Sequence, residues 1–403
     1  MTNFRLSLSS VAVAGALLSA QNYAVADSVA EAIENGTASG NFRLRYESVD
    51  QDNALDDASA LTLRSRLGYK TGEISGFSAY LEFEDSRVVG GQDDYNNTAG
   101  KGSEYSVIAD PEVTEVDQGF LQYKGNGLTA KIGRQVITTD NHRFVGHVGW
   151  RQDRQTFDAA TFNYAPTDNV SLMYGYINNR NRIFAENKDV QSKDHILNAS
   201  YKTPVGKLVG YAYLLEEDTS TDNALDTVGI RFSGSSAAGT AKILYTAEYA
   251  TQSFEAGSTD YDATYFLLEG GASVSGITAK IGYEVLGSDS GSYGFSTPLA
   301  TLHKFNGWSD QFLGTPTEGL VDLYAMVGSK IGPGKLTLMY HDFSAEEDTD
   351  TIDDYGREID LSYAIKFSKH YNAGIKYASY EQGDDATGKV DTDKLWVWLG
   401  AAF

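Results

Sequence analysis

Four arginines, two histidines and a tryptophan crowd the stretch between Gly133 and Asp158: Arg134, Arg143, Arg151 and Arg154, with His142, His147 and Trp150. A guanidinium stays charged at any physiological pH and presents a planar fork that matches a carboxylate, so such a cluster is suited to holding anions. The stretch does not alternate apolar and polar residues, and it is too rich in glycine and aromatics for a loose solvated loop. It is expected to fold into an interior and narrow it; the alternative is an outer loop packed on a rim. A second set of cations stands earlier at period two, Arg43 and Arg45, then Arg64 and Arg66.

Other chemistry finds little support. Of the six histidines only His142 and His147 are close, beside Asp140 and Asp153, and no fixed helix or strand spacing presents them to a metal. Hydrogen-bonded loop histidines are therefore expected, with no metal site and no cofactor. The chain has no cysteine, which removes disulfides, thiolate metal sites and cysteine nucleophiles together. It also lacks the nucleophile elbow, the zincin helix motif, the P-loop and the dinucleotide fingerprint. The acidic run Glu346 to Asp354 lacks the spacing of a calcium loop and reads as a solvated outer loop. No catalytic residue is expected. The 55 acidic against 32 basic residues give a net charge of -23, a poor match for nucleic acid.

The elements that must position the arginines are strands. Ile277, Ala279, Ile281, Tyr283 and Val285 alternate with Thr278, Lys280, Gly282 and Glu284, and Phe42, Leu44 and Tyr46 alternate with Arg43, Arg45 and Glu47. Period two means one apolar and one polar face. About 18 such segments follow one another from residue 40. Short turns, as at Gly125-Asn126 and Ile331-Gly332-Pro333, alternate with long connections such as 87–113, 136–154 and 287–319. This short/long rhythm predicts an all-β transmembrane antiparallel barrel with tight periplasmic turns and long outer loops. The last strand, Leu395 to Phe403, has alternating hydrophobics and a terminal aromatic, the form read by barrel-assembly machinery. Three regions result. Residues 1–26, with Arg5, a short apolar core and Ala24-Val25-Ala26, form a cleaved signal peptide for export to the outer membrane. Residues 27–39 form a loose periplasmic lead with a short helix capped by Ser28, and 40–403 form the barrel.

In a barrel the apolar face meets lipid and the polar face meets the lumen. The inferred lumen wall then carries Arg43, Arg45, Arg64, Arg66, Lys70, Lys131, Arg231, Lys242, Lys280, Lys366 and Lys376 against Glu47, Glu82, Glu84, Glu248, Glu284, Glu358 and Asp360. A basic wall under acidic outer loops would favour anions at the narrow part of a pore. Cancelling Arg–Glu pairs that only stiffen the wall are the competing reading.

Gly133-Arg134-Gln135, Asp140, Arg143, Val145-Gly146, Trp150-Arg151-Gln152 and Gln155-Thr156-Phe157-Asp158, after the strand Asn41 to Glu47, resemble the alginate export family of Gram-negative outer-membrane barrels. The motifs span a small part of the chain, while the strand plan is compatible over nearly all of it. The resemblance implies an 18-stranded monomeric barrel with an electropositive constriction that passes acidic sugars or small carboxylates; alginate itself is not implied. The expected pore-lining residues are Arg43, Arg45, Arg64, Arg66, Lys131, Arg134, Arg143, Arg151, Arg154 and Lys280. The expected partners are outer-membrane lipid and lipopolysaccharide, an anionic small-molecule or oligosaccharide solute, and the assembly machinery. A non-selective porin and a barrel hydrolase are the alternatives.

Overall fold

The computed structural model describes residues 28–219 and 223–403, so the signal peptide inferred for residues 1–26 lies outside the described residues. One short helix, α1 (Val29–Glu34), precedes eighteen strands. They are β1 (Thr37–Gln51), β2 (Ala58–Lys70), β3 (Phe77–Asp94), β4 (Val113–Gly125), β5 (Leu128–Gln135) and β6 (Thr156–Thr167). Next come β7 (Val170–Asn181), β8 (Val190–Thr203), β9 (Gly206–Glu216), β10 (Ala224–Ala238), β11 (Ala241–Ala256) and β12 (Thr259–Val274). The last six are β13 (Ile277–Leu286), β14 (Leu320–Ile331), β15 (Gly334–Ser344), β16 (Asp354–Lys366), β17 (Tyr371–Gln382) and β18 (Thr392–Ala402). Each strand pairs antiparallel with its sequence neighbours, and β1 pairs with both β2 and β18, which closes the sheet into a barrel. Closure leaves no unpaired edge, a requirement for backbone in hydrocarbon.

The turns follow their residues. Asn126-Gly127 joins β4 to β5 with both residues at positive φ, 50° and 76°, the two-residue turn whose twist matches the flanking strands. Long connections emerge at the opposite end, with one exception. β11 and β12 run on to a two-residue closure at 257–258, because their register continues unbroken to Ala256 and Thr259. The barrel also begins three residues before the predicted boundary at 40, since Thr37 to Ser39 already pair with Gly68 to Lys70. Nor is the N-terminal lead loose. Ser28 Oγ caps α1 by accepting from Glu31 N at 3.2 Å, Gly72 N donates to Ala32 O at 2.7 Å, and the Tyr69 hydroxyl donates to Ile33 O.

Outward faces carry the exposed apolar residues, for example Leu67, Leu81, Phe83, Val228, Ile230, Leu268, Ile281, Ile359 and Leu399. The inward face is not uniformly polar as expected. From β7 to β12 it presents Ile177, Ile196, Val209, Tyr211, Tyr213, Leu215, Ala250, Tyr265 and Leu267, all buried. They are covered by Ile137, Phe144 and Val145 of the 136–155 loop and by Phe295 and Leu299 of the 287–319 loop, while Phe312 of the same loop packs on Phe343, Tyr355 and Tyr380 of β15–β17. Two long loops therefore fold into the barrel and supply it with an apolar core. Such surface leaves water only when something seats on it, which is what fixes these loops inside.

Candidate functional site

The first loop leaves β5 and crosses the interior to the β1–β3 wall. Arg43 on β1 holds it there: Nη1 donates to Gly149 O at 3.1 Å, Nη2 to Trp150 O at 2.7 Å and Arg151 O at 2.6 Å, and Nε to Gln152 Oε1 at 3.0 Å. Gln152 adds a bond from Nε2 to Thr62 Oγ1 at 2.8 Å, and its backbone N–H donates to Asp110 Oδ1 at 2.8 Å. Asp110 belongs to a third inward connection, 95–112, and pairs with the buried Arg45 guanidinium. Arg151 reaches Glu47 at 3.0 Å and Asp310 at 3.0 Å, while Arg154 lies between Glu82 and Asp117. The loop tip bends sharply, with Asp140, His142 and Val148 all at positive φ, and Asp140 accepts from Asn198 and Lys207 on the far wall at 2.8 and 2.9 Å.

The second loop meets the first through a parallel bridge between Val145 and Leu299. Arg143 is 1% exposed, lies 2.9 Å from Glu284 and donates to Asn306 Oδ1 at 3.1 Å. Asn306 Nδ2 donates in turn to Glu284 and Asp322 at 2.8 and 3.1 Å. The backbone N–H groups of Trp308 and Ser309 donate to Glu358 on β16. Asp310 joins three elements, reaching Arg151 at 3.0 Å, Lys394 of β18 at 3.1 Å and His303 Nδ1 at 2.7 Å. Burial pushes the His303 imidazole down to about 3, so the neutral ring donates from Nδ1 to Asp310 and accepts the Lys376 ammonium at Nε2, 2.7 Å away.

The ten predicted residues separate into groups. Arg45, Arg66, Arg143, Arg151 and Arg154 do come together inside, each on a carboxylate: Arg45 on Glu47 and Asp110, Arg66 on Glu84 and Asp117, and the others as above. Lys280 is paired as well, 2.9 Å from Glu269. Lys131 faces inward with its ammonium 4.5 Å from the Phe120 ring. Arg134 departs from the prediction. Register runs unbroken from Ile132 to Gln135, which puts Arg134 on the outward face with Ile132, 62% exposed, where it pairs with Asp158 at 2.8 Å. The 133–135 segment is strand, and period two holds to its end.

Arg43 and Arg64 remain. They face each other in register across β1 and β2, and neither has a carboxylate at ion-pair distance among the described residues. Arg64 is buried with one side-chain partner, Asn41 Oδ1, and its Nε has none. The basic surplus inferred for the wall does not extend further. Among the described buried residues carboxylates outnumber guanidinium and ammonium groups, because the strands themselves bury further acids such as Asp117, Asp194 and Asp322, while Asp110 and Asp153 of the loops are matched by Arg143 and Arg151.

His142 and His147 sit edge-on at 5.2 Å, half-buried. Burial, then His142 and the guanidiniums of Arg154, Arg66 and Arg64, push His147 down to about 4. No group of three or more metal-ligating side chains gathers among the described residues. Sequence reasoning missed Asp110, Asp310 and Asn306 as site residues. Their only signal was position in a long connection, and the contacts that recruit them are non-local.

The profile of the family described as alginate export matches residues 34–286. No curated protein matches the chain in sequence. Among solved structures, Acinetobacter baumannii OccAB1 superposes with a TM-score of 0.73 at 13% identity, over 92% of this chain and 97% of that one. Pseudomonas aeruginosa OccK9 (OpdG) gives 0.72 at 14%, covering 92% and 99%. Pseudomonas aeruginosa OpdK, in a structure with vanillate, gives 0.69 at 13%, covering 91% and 98%. The shared property is the fold: a closed 18-stranded antiparallel barrel.

Proposed function

The chain belongs to the alginate export family, and from that premise we propose that it is a passive outer-membrane channel passing anionic solutes, acidic sugars or small carboxylates, through a constriction that the docked loops leave inside the barrel. The observation that carries this reading is the Arg43–Arg64 pair. Most other interior cations are neutralised by carboxylates, so the wall as a whole is close to balanced. Two guanidiniums opposite each other without a carboxylate leave a local positive potential, and a low-dielectric wall around a narrow passage amplifies it. An anion is drawn to that point, and a cation pays desolvation there with nothing to offset it.

The paired arginines have a different part in this reading. Networks such as Glu47–Arg151–Asp310 and Asp117–Arg154–Glu82 hold the loops in place and so set the width of the passage. The chemistry asked of the protein is only selection by size and charge, with the solute gradient driving flow.

The test is the reversal potential of the purified protein in a planar lipid bilayer under a potassium chloride gradient. The wild type is expected on the chloride side of zero, and Arg64→Gln to move it towards zero. Arg357→Gln, at an exposed outer pair with Glu381, is expected to leave it in place. A wild-type potential on the potassium side would overturn the reading.

A further inference from the structure

We propose that α1 is a membrane foot. Its exposed apolar stripe, Val29 and Ile33, beds into the lipid leaflet at the turn end of the barrel, and a zwitterionic headgroup layer suits it better than an anionic one. The inference goes beyond solute passage and concerns how the barrel is seated.

Val29 and Ile33 stand four residues apart, so their side chains lie one above the other on a single side of the helix. They are 70% and 53% exposed, while Ala32, on the neighbouring side, is buried. Glu31 and Glu34 are exposed and leave the axis on the side away from the stripe. Six residues thus present three sides: one packed on the protein, one apolar and open, one acidic. That division suits a helix lying in an interface, with hydrocarbon on one side and water on the other.

The helix is tied to the lipid-facing side of the wall. Gly72 N donates to Ala32 O at 2.7 Å from below β2, and the Tyr69 hydroxyl donates to Ile33 O. Tyr69 shares the outward face of β2 with Leu67, both exposed, and its ring lies over Gly36, where an added Cβ would overlap it. The stripe is therefore held at one depth before any lipid meets it.

That depth is set by an aromatic row. Around Tyr69, at the same end of the outward face, Phe77 packs on Tyr123 with centroids 4.9 Å apart and Phe403 on Phe42 at 6.0 Å; Phe77 and Phe403 are exposed. Such a row marks the boundary between hydrocarbon and headgroups on a barrel. Val29 and Ile33 hang from it and continue the same lipid-facing surface, which makes phospholipid the occupant. Charge selects the headgroup. Lys70 and Lys124 alternate with the outward Tyr69 and Tyr123, so they face the lumen. Glu34 and Glu73 are exposed on the helix and on the turn beside it. The sector offers carboxylates to the headgroups while these lysines turn away, which disfavours anionic lipid.

The chain has no cysteine, so one introduced cysteine carries a probe alone. The experiment labels Ile33→Cys, Glu34→Cys and Phe77→Cys of the whole barrel with the same environment-sensitive fluorophore, in phosphatidylcholine nanodiscs open to solvent on both faces. Quenching by lipid carrying a nitroxide near its headgroup is compared with quenching by aqueous iodide. The lipid-to-iodide ratio at Ile33 is expected about threefold or more above that at Glu34, and close to that at Phe77. Val29→Cys is expected to match Ile33→Cys and serves if that variant labels poorly. Replacing half of the phosphatidylcholine by phosphatidylglycerol should lower the ratio at Ile33 and leave Phe77 unchanged. Equal ratios at Ile33 and Glu34 would overturn the foot. So would a stripe shielded from both quenchers, since protein would then be covering it. A ratio at Ile33 that phosphatidylglycerol does not move would overturn the headgroup preference.

Discussion

Arginine does two different jobs in this interior, and partners decide which. Arg43 directs N–H donors from all three of its nitrogens at the docked loop, a reach no lysine could reproduce from a single ammonium, so it clamps as well as charges. The histidines beside it contribute no charge at neutral pH. His147 faces His142 and the cations Arg64, Arg66 and Arg154, and burial adds to their repulsion, which holds the ring neutral until pH falls through about 4. His142 is displaced the same way by burial and by Lys304. The sign is fixed: a folded value below the ordinary imidazole value means protonation costs the folded state, so charge is withheld in the pH 5–7 window where free histidine would gain it. These two histidines are therefore expected to add no step near pH 6.5 to the ion selectivity, measured as reversal potential at constant gradient in the wild type and in His147→Ala. A step centred near pH 6.5 that disappears in His147→Ala would show an ordinary, hydrated imidazole there instead. At this scale the sequence put arginines into the interior without the loop residues that surround them there. Arg134 was misplaced because Gly133 and Gln135 look like loop residues, while the ladder to β4 and β6 continues through them.

The strands were legible because their signal is local. Period two, a turn residue and a restart are all read within a dozen positions, so even the weakly polar β10 is found. Their fit to one another is less visible. On the inward face glycines stand directly opposite aromatics, Gly229 with Tyr211, Gly282 with Tyr324 and Gly374 with Trp398, and each ring lies over the bare backbone. Tyr324 shows how such a ring is held, donating from its hydroxyl to Glu269 at 3.0 Å, which also takes Lys280. A methyl at Gly282 would overlap the Tyr324 ring, so Gly282→Ala is expected to destabilise the barrel by about 1–3 kcal/mol. The measurement is the temperature at which the heat-modifiable band is lost in detergent. Combining it with Tyr324→Ala should recover part of the loss, since the clash goes with the ring; strict additivity of the two would show that the glycine is there for another reason. The loops were the opposite case. That 136–155 packs inside could be argued from its glycines and aromatics, but its seat on β7–β12 could not, because Ile177, Val209 and Leu267 face inward only by register.

Viewed whole, the molecule separates its charge along the pore axis. The outer strand ends and connections carry Asp50, Asp52 and Asp57, then Asp348, Asp350, Asp353 and Asp354, with Asp384 and Asp391 on the last loop. Several crowd each other enough that Asp50, beside Asp57, and Asp353, beside Asp348, are held above the ordinary carboxylate value. The Arg43–Arg64 pair lies midway along β1 and β2, at the level where Arg43 holds the 149–152 segment. The whole-chain charge therefore says little about the constriction (the eyelet), and a composition of 55 acids to 32 bases does not conflict with the anion preference proposed for it. Screening makes the separation measurable. At about 0.1 M salt the Debye length is ~10 Å and the rim and eyelet act independently, whereas at about 0.01 M it is ~30 Å and the rim field reaches the pore mouth. With the dilute solution on the outer side, the acidic rim should gather cations and shrink the anion preference. With the dilute solution on the turn side, the eyelet acts alone and the preference should be larger. Reversing the gradient across an oriented bilayer is thus expected to change the size of the reversal potential and keep its sign, and Asp50→Asn with Asp353→Asn should reduce the difference. Equal magnitudes in both directions would mean that the rim charges are neutralised where they stand, as they would be by tightly bound divalent cations, and adding a chelator to the outer side would then restore the asymmetry.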